Sequence, residues 1–89
     1  MQVIFDEDAR RDLKKMDPGE RILFHQHVKK LVETGPRRHF GHGLDAYKEN
    51  VGADGRMPFL WDDDEETLRI LRCFTDHKVY EKWYKSYKK

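Results

Sequence analysis

Four residues, Asp17-Pro18-Gly19-Glu20, constrain this 89-residue chain more than any others. Aspartate is placed to cap a helix, proline fits its first position, and glutamate three residues after the cap can reach back to complete a capping box. A helix is therefore expected from Pro18 to about Thr34, burying Phe24, Val28 and Leu31 with Ile22 and Val32 flanking, and stopped by Gly35-Pro36. Before it, Asp6 to Lys15 reads as another helix. Ala9, Leu13 and Met16 share one face, bases cover the other, and the early acids suit the helix N-terminus. Two helices in succession make a helical hairpin, and the apolar run Gln2-Val3-Ile4-Phe5 ahead of them suits a short buried strand.

Beyond the hairpin the periodicity changes. Pro36 to Leu44 is a glycine-rich basic loop with neither a GxGxxG nor a Walker pattern, so nucleotide binding has no support. Ala46 to Val51 alternates like a half-exposed strand, Gly52-Ala-Asp-Gly55 is a hairpin connection, and Arg56 to Trp61 is the return strand. Pro58 cannot donate to a ladder and implies an edge position or a bulge. The acidic turn Asp62 to Glu66 leads into a final strand from Thr67, which passes at Thr75-Asp76 into a helix capped by Asp76. Tyr80, Trp83, Tyr84 and Tyr87 lie along one side of that helix, beside His77 and Lys78. The expected class is α+β: an N-terminal strand, a helical hairpin, a three-strand antiparallel meander and a C-terminal helix, with helices packed on one sheet face and residues 1–89 forming one domain.

Composition fits a sheet with one wet face, because hydrophobic residues are 37% and charged residues 39%. The net charge is only +1, but its distribution is uneven. Acids gather at Asp6 to Asp8 and Asp62 to Glu66, bases at Arg37-Arg38-His39 and along Lys78, Lys82, Lys85, Lys88 and Lys89. That separation suggests a basic face able to hold a phosphate backbone. Cys73 is the one cysteine; it excludes an internal disulfide and reads as a small hydrophobe in a strand. No apolar run has the length of a membrane span and the first residues do not read as a signal peptide, so a cytoplasmic protein without membrane contact is expected. The histidines are too dispersed for a metal motif.

Together the short first strand, the helical hairpin, the segment GRMPFLWDDDEETLRILRCFT and the ending HKVYEKWYKS resemble the RelE superfamily of toxin-antitoxin systems, especially small archaeal and cyanobacterial RelE-like toxins. The resemblance spans essentially the whole chain, although Pro58 stands where relatives carry an aliphatic residue. It implies an mRNA interferase that enters the ribosomal 30S A site and cuts the message there without metal or other cofactor, inhibiting translation. The ribose 2′-hydroxyl attacks the neighbouring phosphate, leaving a 2′,3′-cyclic phosphate and a 5′-hydroxyl. Such chemistry needs groups that take and give a proton, and fixed cations for the charge of the phosphorane.

By the same resemblance the sheet lysine is Lys48, the arginine opening the return strand is Arg56, the base after the last strand is Lys78 beside His77, and the C-terminal tyrosine is Tyr84. Glu49 and Tyr80 are further candidates for the proton transfers. Arg37, Arg38, Arg72, Lys82 and Lys85 are expected to hold RNA. Implied partners are a cognate antitoxin, the ribosome with its mRNA, and operator DNA reached through the antitoxin complex. Two alternatives stay open on this sequence: a non-enzymatic ParE-like toxin that binds DNA gyrase, and a generic RNA-binding module that relies on aromatic stacking.

Overall fold

The Asp17 carboxylate accepts the Glu20 amide at 2.9 Å while the Glu20 side chain takes the Asp17 amide at 3.4 Å, completing the capping box. This and the rest of the architecture come from a computed structural model, which describes residues 1–35 and 46–87. The elements in chain order are β1 (Gln2–Phe5), α1 (Glu7–Lys15), α2 (Pro18–Thr34), β2 (Tyr47–Val51), β3 (Gly55–Asp62), β4 (Thr67–Ile70) and α3 (His77–Tyr87). Replacing Asp17 with alanine removes the box and will cost about 1 kcal/mol, read as a fall of about 4–8 °C in the thermal midpoint. A melt unchanged from the native one would show that α2 is held by its packing alone.

Arg21 ties the hairpin together. Its guanidinium donates to the Leu13 and Met16 carbonyls at 3.1 and 2.9 Å, the first of which also accepts the Met16 amide that closes α1. Ala9, Leu13 and Met16 from α1 and Phe24, Val28 and Leu31 from α2 are buried against Val51, Met57, Phe59, Leu68 and Ile70 of the sheet. Ile22 and Val32, expected to flank that apolar stripe, are exposed instead.

The sheet runs β1-β4-β3-β2. β2, β3 and β4 form the antiparallel meander, and β1 lies parallel to β4 with Gln2 opposite Thr67 and Phe5 opposite Ile70. Pro58 therefore sits in a central strand, not at an edge. Its ring is accommodated by a bulge: Phe59 pairs with Ile70 and Arg56 with Phe74, so Met57 and Pro58 stand opposite three residues, Leu71, Arg72 and Cys73. The ladder alternation aims the polar atoms of residue 58 at β4. Pro58 has no N–H to give there, and its carbonyl accepts from Leu71 at 3.0 Å.

The bulged segment is tied to α1. Asp12 accepts from Arg72 Nε at 2.8 Å, Arg72 Nη2 at 2.9 Å and the Cys73 amide at 2.9 Å. Cys73 is buried, and burial pushes its thiol up to about 12, so it packs and does not react. No helix among the described residues is long and apolar enough to cross a membrane.

Side chains alternate across β2. Tyr47 and Val51 enter the core beneath the hairpin, whereas Lys48 brings its Nζ to 5.9 Å from the centre of the Tyr80 ring on α3. The hairpin thus covers one face of the sheet, and α3 refines the expected packing by meeting the other. There Tyr80 and Trp83 close on Phe74, with ring centres 6.0 and 5.7 Å away.

Candidate active site

Asp76 starts α3 as the sequence suggested. Its carboxylate accepts the Lys78 amide at 2.8 Å and its carbonyl accepts the Val79 and Tyr80 amides at 3.2 Å. The aromatic stripe that follows is a continuous stack: Tyr80 lies 6.1 Å from Tyr84, and Trp83 lies 4.8 Å from Tyr87, both pairs inclined by 18°. Tyr80 is buried at the foot of this stack. Burial, with the neighbouring Tyr84 adding to it, pushes the Tyr80 phenol up to about 12, which favours its protonated form. Its ring stacks on Tyr84 and lies beneath Lys48 Nζ.

Lys48 is held over the Tyr80 ring on the face opposite the hairpin. Asn50, two residues on, shares that face and stands opposite Arg56 in the register. Its Oδ1 is buried and accepts no hydrogen bond. Arg56 donates through Nη1 to the Ala53 and Gly55 carbonyls at 3.2 and 2.7 Å, which fixes the β2–β3 turn beside the start of α3. Glycine is required at both ends of that turn: Gly52 has φ of 69°, and a Cβ on Gly55 would come within 2.2 Å of the Val51 carbonyl oxygen. Across from the turn, His77 Nδ1 lies 3.2 Å from Asp54 Oδ1.

The fold therefore brings Lys48, Arg56, His77, Tyr80 and Tyr84 to one side of the sheet. It does not bring all the candidates there. Lys78 is exposed, and on a helix of about 3.6 residues per turn a spacing of six puts it on a different side from Tyr84. Seven residues, by contrast, bring His77 and Tyr84 to the same side. Lys82 and Lys85 share the outer side of α3 with Lys78, where they form a solvated basic ridge.

Two candidates are committed elsewhere. Glu49 points under the hairpin, 2.6 Å from His27 Nδ1 and 3.0 Å from Lys30 Nζ, and with 12% of its side chain exposed it is neither near Lys48's face nor an ordinary surface residue. Arg72 donates both bonds to Asp12 and lies over the Phe74 ring at 4.6 Å; its hydrogen bonding to Asp12 raises its pKa above the ordinary value, so Arg72 is already committed to that carboxylate. Arg37 and Arg38 lie outside the described residues. Asp54 and Asn50, a turn aspartate and a strand asparagine, carry no local signal in the sequence that would place them beside these residues. No group of three or more metal-binding side chains occurs among the described residues.

These features define a class: a small α+β domain whose mixed sheet carries a helical hairpin on one face and a basic, aromatic site on the other. Its fold is that of the RelE and YoeB toxins. The chain is similar to the free state of a variant of the Escherichia coli toxin RelE, with a TM-score of 0.78 and 17% identity over 98% of this chain and 94% of that one. It is also similar to the RelBE2 toxin-antitoxin complex of Mycobacterium tuberculosis, with a TM-score of 0.70 and 22% identity over 85% and 91% of the two chains. The YoeB dimer of Staphylococcus aureus gives a TM-score of 0.69 and 17% identity over 82% and 93%. No family model and no curated protein sequence matches the chain.

Proposed function

We propose that this chain is the toxin of a toxin-antitoxin pair and that it cuts mRNA on the ribosome in the cytoplasm, the whole chain acting as one domain. The observation that carries the reading is the meeting of Lys48, Arg56, His77 and Tyr84 on the sheet face opposite the hairpin, within a RelE-like fold. In this reading Lys48 and Arg56 supply fixed positive charge for a phosphorane. His77 is the one of these side chains whose ordinary pKa lies near neutrality, which suits it to take the 2′-hydroxyl proton, and Tyr84 lies on the same side of α3 to share the proton transfers. Lys82, Lys85 and Lys78, on the outer ridge, attract the phosphate backbone without touching the reacting atoms. An antitoxin partner is supported by the toxin-antitoxin complexes among the similar structures.

The test is primer extension on a reporter mRNA in a reconstituted translation mixture, with and without ribosomes. Native protein is expected to cut within the A-site codon only when ribosomes are present. Lys48→Ala and Tyr84→Phe should each slow cutting at least tenfold, and Lys78→Ala should slow it much less. Native protein that arrests growth but makes no cut would sink the nuclease reading in favour of a toxin that acts by binding.

A further inference from the structure

We infer that Asp54 is a positioning residue that orients His77 for proton transfer, an assignment that rests on the nuclease reading above. A carboxylate offers only acceptors, so the 3.2 Å contact from His77 Nδ1 to Asp54 Oδ1 requires Nδ1 to carry the proton. That choice of tautomer leaves the lone pair on Nε2. The imidazole is then presented as a base at a fixed edge, as a histidine is wherever a carboxylate holds its other nitrogen.

Both partners are mounted rigidly. Asp54 sits in the β2–β3 turn, and Arg56 clamps the carbonyls on either side of it, Ala53 and Gly55, at 3.2 and 2.7 Å. His77 is the first residue of α3, fixed by the amides that the preceding Asp76 collects. The pair spans two elements that approach only in the folded chain. It is well exposed, with 40% and 67% of the two side chains open to solvent, so it contributes little to stability and its place calls for another explanation.

Arg56 on β3 and Lys48 on β2 belong to the same sheet face, and Lys78 and Glu81 follow His77 on α3. Asp54 is the carboxylate in contact. Its removal therefore frees the ring to rotate and to exchange its tautomer.

Cutting rates should be measured for native protein, Asp54→Ala, Asp54→Glu, His77→Ala and the Asp54→Ala, His77→Ala double variant, with thermal melts as a check on folding. Asp54→Ala is expected to cut roughly tenfold more slowly with its melt unchanged; Asp54→Glu should recover part of the loss. The double variant should cut no more slowly than His77→Ala. An unchanged rate in Asp54→Ala, or a further loss from Asp54→Ala in the His77→Ala background, overturns the assignment. Native protein without any cutting overturns the nuclease reading and this one with it, whereas a native nuclease indifferent to Asp54 overturns this one alone.

Discussion

Phe59→Ala will remove about 3–5 kcal/mol of stability, a large share of the roughly 4–13 kcal/mol expected for a domain of this length. Phe59 is fully buried in the central strand β3, stacked 5.6 Å from Tyr47 and paired with Ile70 on the far side. Its neighbours belong to a hydrogen-bonded sheet and a capped hairpin, which cannot collapse into the space left behind. The thermal midpoint should fall by roughly 15–30 °C. Leu60, the next residue, points to the opposite face and is only half-buried. Leu60→Ala should lower the midpoint far less; equal losses from the two substitutions would mean that the core does not lie beneath the hairpin.

That contrast rests on alternation, and alternation was legible in the sequence. So were the boundaries that a local residue marks: Asp17 and Asp76 accept first-turn amides, Gly35 ends α2, and Gly52 and Gly55 make the tight turn. The end of the last strand was not: expected to continue through Cys73 to Thr75, it stops at Ile70, where the bulge opposite Met57 and Pro58 begins. The parallel pairing of β1 with β4 was not legible, since it joins residues at opposite ends of the chain through a register that no local pattern records. Pro58 was half legible. Its missing N–H demanded a break in the ladder, and only the structure shows that the break is a bulge within a central strand.

The site divides in the same way. Lys48 could be placed on the face away from Tyr47 by period alone, and it is there. The mismatch between Lys78 and Tyr84 was also present in their spacing on a helix, although the nearness of Lys78 to the strand end obscured it. What no spacing could show is which charges are already occupied. Glu49 meets His27 and Lys30 across the hairpin, Asp54 meets His77 across a turn, and Asp12 meets Arg72 from the far end of the chain.

The last of these contacts gives the second large effect: Asp12→Ala will cost about 2–3 kcal/mol. Asp12 is the common acceptor for both arms of the Arg72 guanidinium and for the Cys73 amide, and only 14% of its side chain is exposed. Removing it strands a half-buried cation and a backbone donor inside the bulge. The thermal midpoint should fall by roughly 10–20 °C. Arg72→Ala should cost less, because the Asp12 carboxylate then keeps the Cys73 amide and opens to water. The pair also separates two roles for Arg72. If the proposed nuclease activity holds, Arg72→Ala protein assayed well below its melting point should cut mRNA as fast per folded molecule as native protein. A rate that falls while the protein remains folded would mean that Arg72 leaves Asp12 to reach the RNA.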